Sequence, residues 1–475
     1  MSVAPNAINY GNQLPLGIEA KSQRRLFFPA TGDTYTSNGN NIIRISLNYD
    51  GMLDTHQSYL KFDIENTTNV AAAAGRNTYD LGQPQIARLV VSSGGVVLED
   101  IQHYNHLVGG ILAPCQYGPG QINEAMTNAQ CFAAPQATIA GGVNTQQGGG
   151  KIGTLLYELP QNAGVAARTA FNSANVIDVG AANKLSMCYK LYSGLLDNEK
   201  YLPLVLMNNG LDIEIHLASG EEAGVSDNGG NNPTYTISNV RYVAHLIDLQ
   251  RDFYDMLRQT QQASGGVIQL AGQTFRSFTS PLANAAGQYA INIPVRARSI
   301  KSVFFKASSS VATNQNYSLS GASNLFDGAN GGEYHLQIGA TKYPPTAIQV
   351  KTDVGANKSE PYFELMKSFG KLGSTIHDNL LYGSNYLSVA DCGAARRVGG
   401  GANADGVIPF APFGIDLETF RAEIENGIDT SSRALPMTLH LSKGVSGLTA
   451  HNLFMYCMID TLFFINMDGS VSVSS

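Results

Sequence analysis

The stretch NIIRISLNY, Asn41 to Tyr49, places Ile43, Ile45 and Leu47 at every second position, with Arg44, Ser46 and Asn48 between them. Successive side chains of a strand point to opposite faces, so this pattern reads as a β-strand with one buried and one wet face. The alternation returns in SYLKFDIEN (Ser58 to Asn66) through Leu60, Phe62 and Ile64. It returns again in GLDIEIHLA (Gly210 to Ala218) through Leu211, Ile213, Ile215 and Leu217. Helical spacing is rare. DLQRDFYDMLRQTQQ (Asp248 to Gln262) carries Leu249, Phe253, Met256 and Leu257 in helical register, and SEPYFELMKSFG (Ser359 to Gly370) is a second helix. NHLVGGILA and GQINEAMTNAQ are shorter helical candidates. Short strands separated by Gly, Asn, Pro and Asp make this an all-β chain with helical decoration, built as sandwiches.

The signatures of residues 41–260 recur in order in residues 287–467. NIIRISL at Ile45 answers to YAINIPV at Ile293 (293 − 45 = 248), and SYLKFDI at Lys61 to KSVFFKA at Phe305 (305 − 61 = 244). LVVSSGGVVLEDI, ending at Ile101, answers to HLQIGATKYPPTAI, ending at Ile348 (348 − 101 = 247). IEIHLAS at His216 answers to MTLHLSK at His440 (440 − 216 = 224), and VAHLIDL at Asp248 to YCMIDTL at Asp460 (460 − 248 = 212). Identities are sparse, but the order is kept and the offsets drift downward, as expected for two copies of one unit. The first copy is longer by 36 residues (248 − 212 = 36), and the Gly-, Ala-, Gln- and Asn-rich segment from Pro114 to Asn183 accounts for the excess. Ser308–Glu333 and Cys392–Leu435 are the long loops of the second copy. Such connections belong on the surface at one end of a sandwich.

Composition narrows the function. At 475 residues the chain holds two or three domains, and 43% hydrophobic residues suffice for real cores. Only 14% of residues are charged, so the surface is largely neutral amides, hydroxyls and glycine, which suits packing against copies of itself. A net charge of −7 argues against a general nucleic-acid binder, although KSQRR (Lys21 to Arg25) is locally basic. Five scattered cysteines with no C-x-x-C pair point to free structural thiols in a reduced compartment. The first thirty residues lack a secretory signal pattern. NLFMYCMIDTLFFINM (Asn452 to Met467) is too short for a membrane span and contains Asp460.

Chemistry-bearing motifs are weak. QQGGGKIGT (Gln146 to Thr154) imitates a phosphate loop, but Thr145 stands where the first glycine is needed and Ile152 follows Lys151 in place of Ser or Thr. HYNH (His103 to His106), with Asp100 nearby, supplies a histidine pair that lacks two further metal ligands, and packing after a strand explains it better. His216 and His440 fall at matching positions opposite the Ile and Leu face, as repeated structural residues. Glu221 with Glu222, and Asp416 with Glu418, read as surface charge rather than a glycosidase pair. YPP (Tyr343 to Pro345) reads as a rigid turn ending a hairpin strand. No catalytic, cofactor-binding or metal residue is assigned.

Three segments carry a family resemblance: DTHQSYLKFDIEN (Asp54 to Asn66), YHLQIGATKYPPTAI (Tyr334 to Ile348) and FGIDLETFRAEIENGIDTSSRALPMTLHL (Phe413 to Leu441). With the duplication, they make residues 24–467 resemble the double jelly-roll major capsid proteins of tailless icosahedral phages, adenovirus-like viruses, polinton-like viruses and large eukaryotic DNA viruses. The resemblance implies two consecutive eight-stranded jelly rolls and no enzymatic activity. It divides the chain into an arm (1–23), a first jelly roll (24–247, with a long insertion at about 114–183), a helical linker (248–272) and a second jelly roll (273–475). It further implies a homotrimer forming a pseudo-hexagonal tile of an icosahedral virion, with neighbouring capsomers, penton and minor capsid proteins as partners and no cofactor. Under the same resemblance Lys21, Arg24 and Arg25, where the arm meets the first jelly roll, are candidates to touch an inner membrane, minor proteins or genome; a solvated start to the first strand is the alternative. A receptor- or glycan-binding jelly-roll spike is the rival, and the absence of Trp with amide-rich loops speaks against it. Replacing Lys151 with Ala should leave assembly unchanged on size-exclusion chromatography; a specific loss of nucleotide binding would reinstate the phosphate loop.

Overall fold

The computed structural model describes residues 20–67, 76–79, 83–116, 176–178, 184–226, 234–283, 285–309, 325–326, 332–350, 359–372, 381, 386, 411–420, 425–432, 435–443 and 451–475. The first half contains β1 (Ala20–Phe27), β2 (Thr34–Thr36), β3 (Ile42–Leu47), β4 (Met52–Asn66), β5 (Arg76–Tyr79), β6 (Ile86–Ser93) and β7 (Val96–Gln102). It continues with β8 (Val176–Asp178), β9 (Lys184–Tyr189), β10 (Leu202–Pro203), β11 (Leu211–Leu217), β12 (Gly224–Ser226) and β13 (Tyr235–Leu249). The second half contains β14 (Val267–Leu282), β15 (Gly287–Ile293), β16 (Ile300–Ser309), β17 (Gly332–Ile338) and β18 (Thr341–Val350). It closes with β19 (Phe413–Asp416), β20 (Met437–Lys443), β21 (His451–Asn466) and β22 (Val471–Ser474).

The topology is the same twice. One sheet of the first half runs β1-β13-β4 with β9 on the far side of β4, and the other runs β3-β11-β6-β7. The second half repeats this as β14-β21-β16-β19 and β15-β20-β17-β18. Eight strands in two facing sheets with these crossovers are a jelly roll, so the chain is a double jelly roll. All five sequence pairs fall on equivalent strands. For His216 and His440 the register agrees to the residue. His216 lies opposite Ile42 and Arg88, and His440 opposite Ala290 and His335, displaced by 290 − 42 = 248 and 335 − 88 = 247. All but one residue of the 36-residue excess is shared between two places. The offset falls from 247 to 224 between β7 and β11, and from 224 to 212 between β11 and β13, where a short helix α3 (Gly220–Ala223) and β12 lie.

Burial follows the alternation. Ile43, Ile45, Leu47, Ile213 and Ile215 are buried in the first core, each worth about 1.5–3 kcal/mol. The second core is more aromatic: Phe305, Phe326, Tyr334 and Phe413 pack with ring centroids 5.0–6.0 Å apart. Short turns close one end of each sandwich. Gly94 and Gly95 take positive φ of 57° and 84° in the tight β6–β7 hairpin, where a Cβ would be strained. At the opposite end Leu282, Gly287, Ser309, Gly332, Val350, Lys443 and His451 meet, and the long connections of the second half leave from there. In the first half three such connections contribute β5, β8 and β12 to an additional three-stranded sheet.

Two local expectations change. Tyr343–Pro345 lies inside β18 and ends no strand; the turn is made by Gly339 and Ala340. Pairing only with β17, β18 is an edge strand, and there a proline sacrifices no ladder bond. The linking helix α4 is Arg251–Ala263 and starts after Asp248, because β13 stays paired with β1 as far as Leu249. The second helix, α5, spans Ser359–Ser368.

Ile43 is only 2% exposed, so Ile43→Asp removes about 2–5 kcal/mol of burial and adds an uncompensated charge worth several more. That approaches the whole stability of a domain. Soluble yield and thermal melting should show no folded protein; a normal melt would refute the inward assignment.

The joint between the jelly rolls as candidate functional site

The two sandwiches meet through a segment that the sequence marks only as a short apolar helix. After β7, His103 adopts a left-handed conformation (φ 50°) and turns the chain into α1 (Tyr104–Leu107), a π-helical turn (Val108–Leu112) and α2 (Ala113–Gln116). Residues 104–115 are all buried. A helical run buried all round must be covered on every side. The first jelly roll covers part of it, and the outer face of β16 and β21 covers the rest. The His106 ring stacks on Phe454 with centroids 3.9 Å apart and planes 16° apart. His103 meets Phe454 edge-on at 5.2 Å, and its carbonyl accepts the Tyr456 hydroxyl at 2.9 Å. Lys371 Nζ donates to the Cys115 carbonyl at 2.8 Å. The fully buried Lys306 side chain lies against Gly110, where a Cβ would sit 2.3 Å from its Nζ.

A second contact lies beside it. Buried Glu99 accepts the backbone N–H groups of Gly194 (2.8 Å) and Leu195 (3.1 Å) and the Ser193 hydroxyl, fixing a tight turn. That turn presses its backbone on β14: a Cβ on Gly272 would lie 2.4 Å from the Gly194 carbonyl oxygen. Asn198 Nδ2 donates to the Ala271 carbonyl at 2.8 Å. In the linker, Gln261 Nε2 donates to the Ile465 carbonyl at 2.9 Å and pins α4 to the second jelly roll. A cleft of about 600 Å³ between β7 and β14 is lined by Glu99, Gln102, Thr274, Arg276, Thr461 and Ser475, among others.

The electrostatics at the joint are those of a dry site. Burial, with help from the Lys306 ammonium, pushes the His106 imidazole down to about 4, against the pull of Glu222. His106 is therefore neutral at neutral pH and donates Nε2–H to Glu222 at 3.1 Å. Burial alone would raise Glu222, but its bonds from His106 and Asn105 hold the carboxyl below its usual range. Burial lowers His103 as well.

Of the residues singled out by sequence, His106 meets both His103 and Glu222, and the others stand elsewhere. Asp100 makes a two-pronged bond to Arg88 at 2.7 Å and so does not join His103 and His106. Glu222 serves His106, whereas Glu418 serves buried Lys301 at 3.2 Å, so neither is the free surface charge that the sequence suggests. His216 bonds Glu214 at 2.7 Å, and His440 stacks on His335 with centroids 4.8 Å apart, both on outer faces. Lys21, Arg24 and Arg25 all lie exposed on β1, Arg25 also standing over the rings of Phe27 and Tyr49. Cys115, Cys188 and Cys457 are free thiols; Cys131, Cys392, Lys151 and the side chain of Glu221 lie outside the described residues. Among the described residues no group of three or more His, Cys, Asp or Glu could hold a metal ion, and no helix is long and apolar enough to cross a membrane. Sequence reasoning missed the joint, although Gly109-Gly110 inside an apolar helix hinted at a close approach.

No protein-family model and no curated protein matches the chain. Solved structures do. A chain of the Sputnik virophage, solved by cryo-EM at 3.5 Å, is 12% identical and superposes with a TM-score of 0.53, covering 100% of this chain and 92% of that one. The capsid of PBCV-1 virus gives 10% identity and a TM-score of 0.50 over 98% and 99% of the two chains. The Faustovirus major capsid protein gives 8% and 0.50 over 96% and 92%. At these identities the double jelly-roll fold is what is shared, from end to end.

Gly272→Ala should lower stability by more than about 2 kcal/mol, because its neighbour is backbone and cannot move aside. Thermal melting checks this; an unchanged midpoint would show that the backbones do not touch.

Proposed function

We propose that this chain is the major capsid subunit of a DNA virus, assembling as a homotrimer whose six jelly rolls form a pseudo-hexagonal tile of an icosahedral shell. The observation that carries the reading is the duplicated jelly roll locked by a buried joint, together with its full-length likeness to virus capsid chains. A shell subunit must present a rigid shape, and this joint makes two sandwiches one unit.

The joint also favours closure with other copies. Within the chain, the outer face of β16 and β21 is covered by the helical run that follows β7. The equivalent face of the first jelly roll, on β4 and β13, keeps Tyr59, Lys61, Asp63 and Arg241 partly exposed. The second jelly roll of the next copy is the natural cover for it, and three such head-to-tail steps close a ring. Closure would also shelter the free edge of β1. The low charge of the chain suits extensive burial between subunits.

The reading places the protein in the virion, with neighbouring tiles, penton and minor capsid proteins as partners. The exposed Lys21, Arg24 and Arg25 are its contacts toward an inner membrane, minor proteins or genome. It assigns no reaction, since the buried acids and histidines among the described residues are engaged in structural bonds.

Size-exclusion chromatography with light scattering should give a stable particle near three times 50.6 kDa. A monodisperse monomer that binds oligosaccharide would overturn the reading. The double variant Lys61→Glu/Arg241→Glu should yield monomers while shifting thermal stability by no more than about 1 kcal/mol, since both residues are partly exposed. Normal trimers from that variant would exclude this face from the interface.

A further inference from the structure

We propose that the joint is an acid-sensitive latch, in which protonation of His106, seconded by His103, releases the helical run 104–116 from the second jelly roll and uncouples the two sandwiches. The geometry is that of a switch. His106 lies between elements of both jelly rolls, with Glu222 of α3 bonded at its ring edge and the Phe454 ring of β21 stacked on its face. His103 approaches His106 with ring centroids 6.2 Å apart and anchors Tyr456 through its carbonyl. The charged and titratable groups that face His106 are Glu222 from α3, Lys306 from β16 and His103 from its own run.

An imidazolium at this place meets opposing influences. Glu222 and the face of Phe454 favour the cation. Burial and the Lys306 ammonium disfavour it, and they prevail, since the group stays neutral down to about pH 4. Once the run swings out, His106 is hydrated and recovers an ordinary value near 6.5. The opened state therefore binds the proton more tightly. The latch is shut at neutral pH, begins to weaken as pH falls below 6.5, and has lost the full contribution near 4. The difference, 6.5 − 4 = 2.5 decades, raises the ratio of opened to closed joint by about 300-fold. Glu222, held below its usual value in the closed joint, adds to the loss at the acid end of this range. The proton is the only reactant, and restoring neutral pH recloses the joint. For a shell subunit this means loosening in an acidified compartment, but the latch is a property of the single chain and stands apart from the capsid reading.

Cys115 reports on the latch, because it is buried at the end of the helical run. The full-length protein is labelled with 4,4′-dithiodipyridine, which reacts with thiols in acid, from about pH 7.5 to about pH 4.5, and modified peptides are identified by mass spectrometry. Part-exposed Cys188 is the internal rate reference, and Cys457, buried in the second jelly roll, guards against global unfolding. Labelling of Cys115 relative to Cys188 should rise at least about tenfold as pH falls, with Cys457 protected, and His106→Gln should abolish most of that rise. His103→Gln should reduce it in part. A flat wild-type profile, an undiminished rise in His106→Gln, or simultaneous labelling of Cys457 would each overturn the proposal. If His106→Gln does not fold, hydrogen exchange of the wild type decides. Amides 104–112 should lose protection in acid while β11 and β20 keep theirs, and joint loss of both would exclude a local latch.

Discussion

The outer face of β21 cannot be left in water, and the rest of the molecule is arranged around that. Met455, Cys457 and Ile459 enter the core of the second jelly roll, while Phe454 and Tyr456 point the other way and are also buried. A strand buried on both faces reads as a continuous apolar run instead of an alternating one. That is why LFMYCMI looks so unlike NIIRISL. Its second face needs a lid from elsewhere in the chain, and the helical run 104–116 is that lid. The second sandwich is thus incomplete without the first.

The polar groups trapped at this contact restrict how the lid can sit. Lys306 is fully buried and lies against a glycine of the π-helical turn. A buried ion is tolerated only where its partners converge, and a misplaced one costs several kcal/mol. Apolar surfaces alone would allow the sandwiches to slide. The stacked His106 ring, the Glu99 turn and the touching backbones of Gly194 and Gly272 select one setting. Rigidity between the halves therefore comes from a few short contacts, and one of them titrates in the acid range.

Much of the fold was legible because strand alternation is a local signal. β3, β4 and β11 bury the residues that their spacing nominates, and the repeated order of signatures identified equivalent strands across nearly 250 residues. Misreadings arose where a long-range partner overrode a local cue. Leu249 joins β13 rather than the helix because β1 lies beside it, and Tyr343–Pro345 continues a strand because that edge needs no N–H donor. The histidine pair at 103 and 106 was noticed as a motif, but its role was not readable. Its partners Phe454, Tyr456 and Lys306 lie 200 or more residues away.

By itself the amino-acid sequence determined the strands, their inward faces, the duplication and the low charge of the surface, since each depends on spacing or composition. Only the tertiary structure decided that the two sandwiches form one body and that a short apolar helix is its keystone. It also decided that His106 is neutral, and that Asp100, Glu222 and Glu418 are bound to Arg88, His106 and Lys301. Burial is a property of what packs against a residue, and for these residues that surface comes from the other half of the chain.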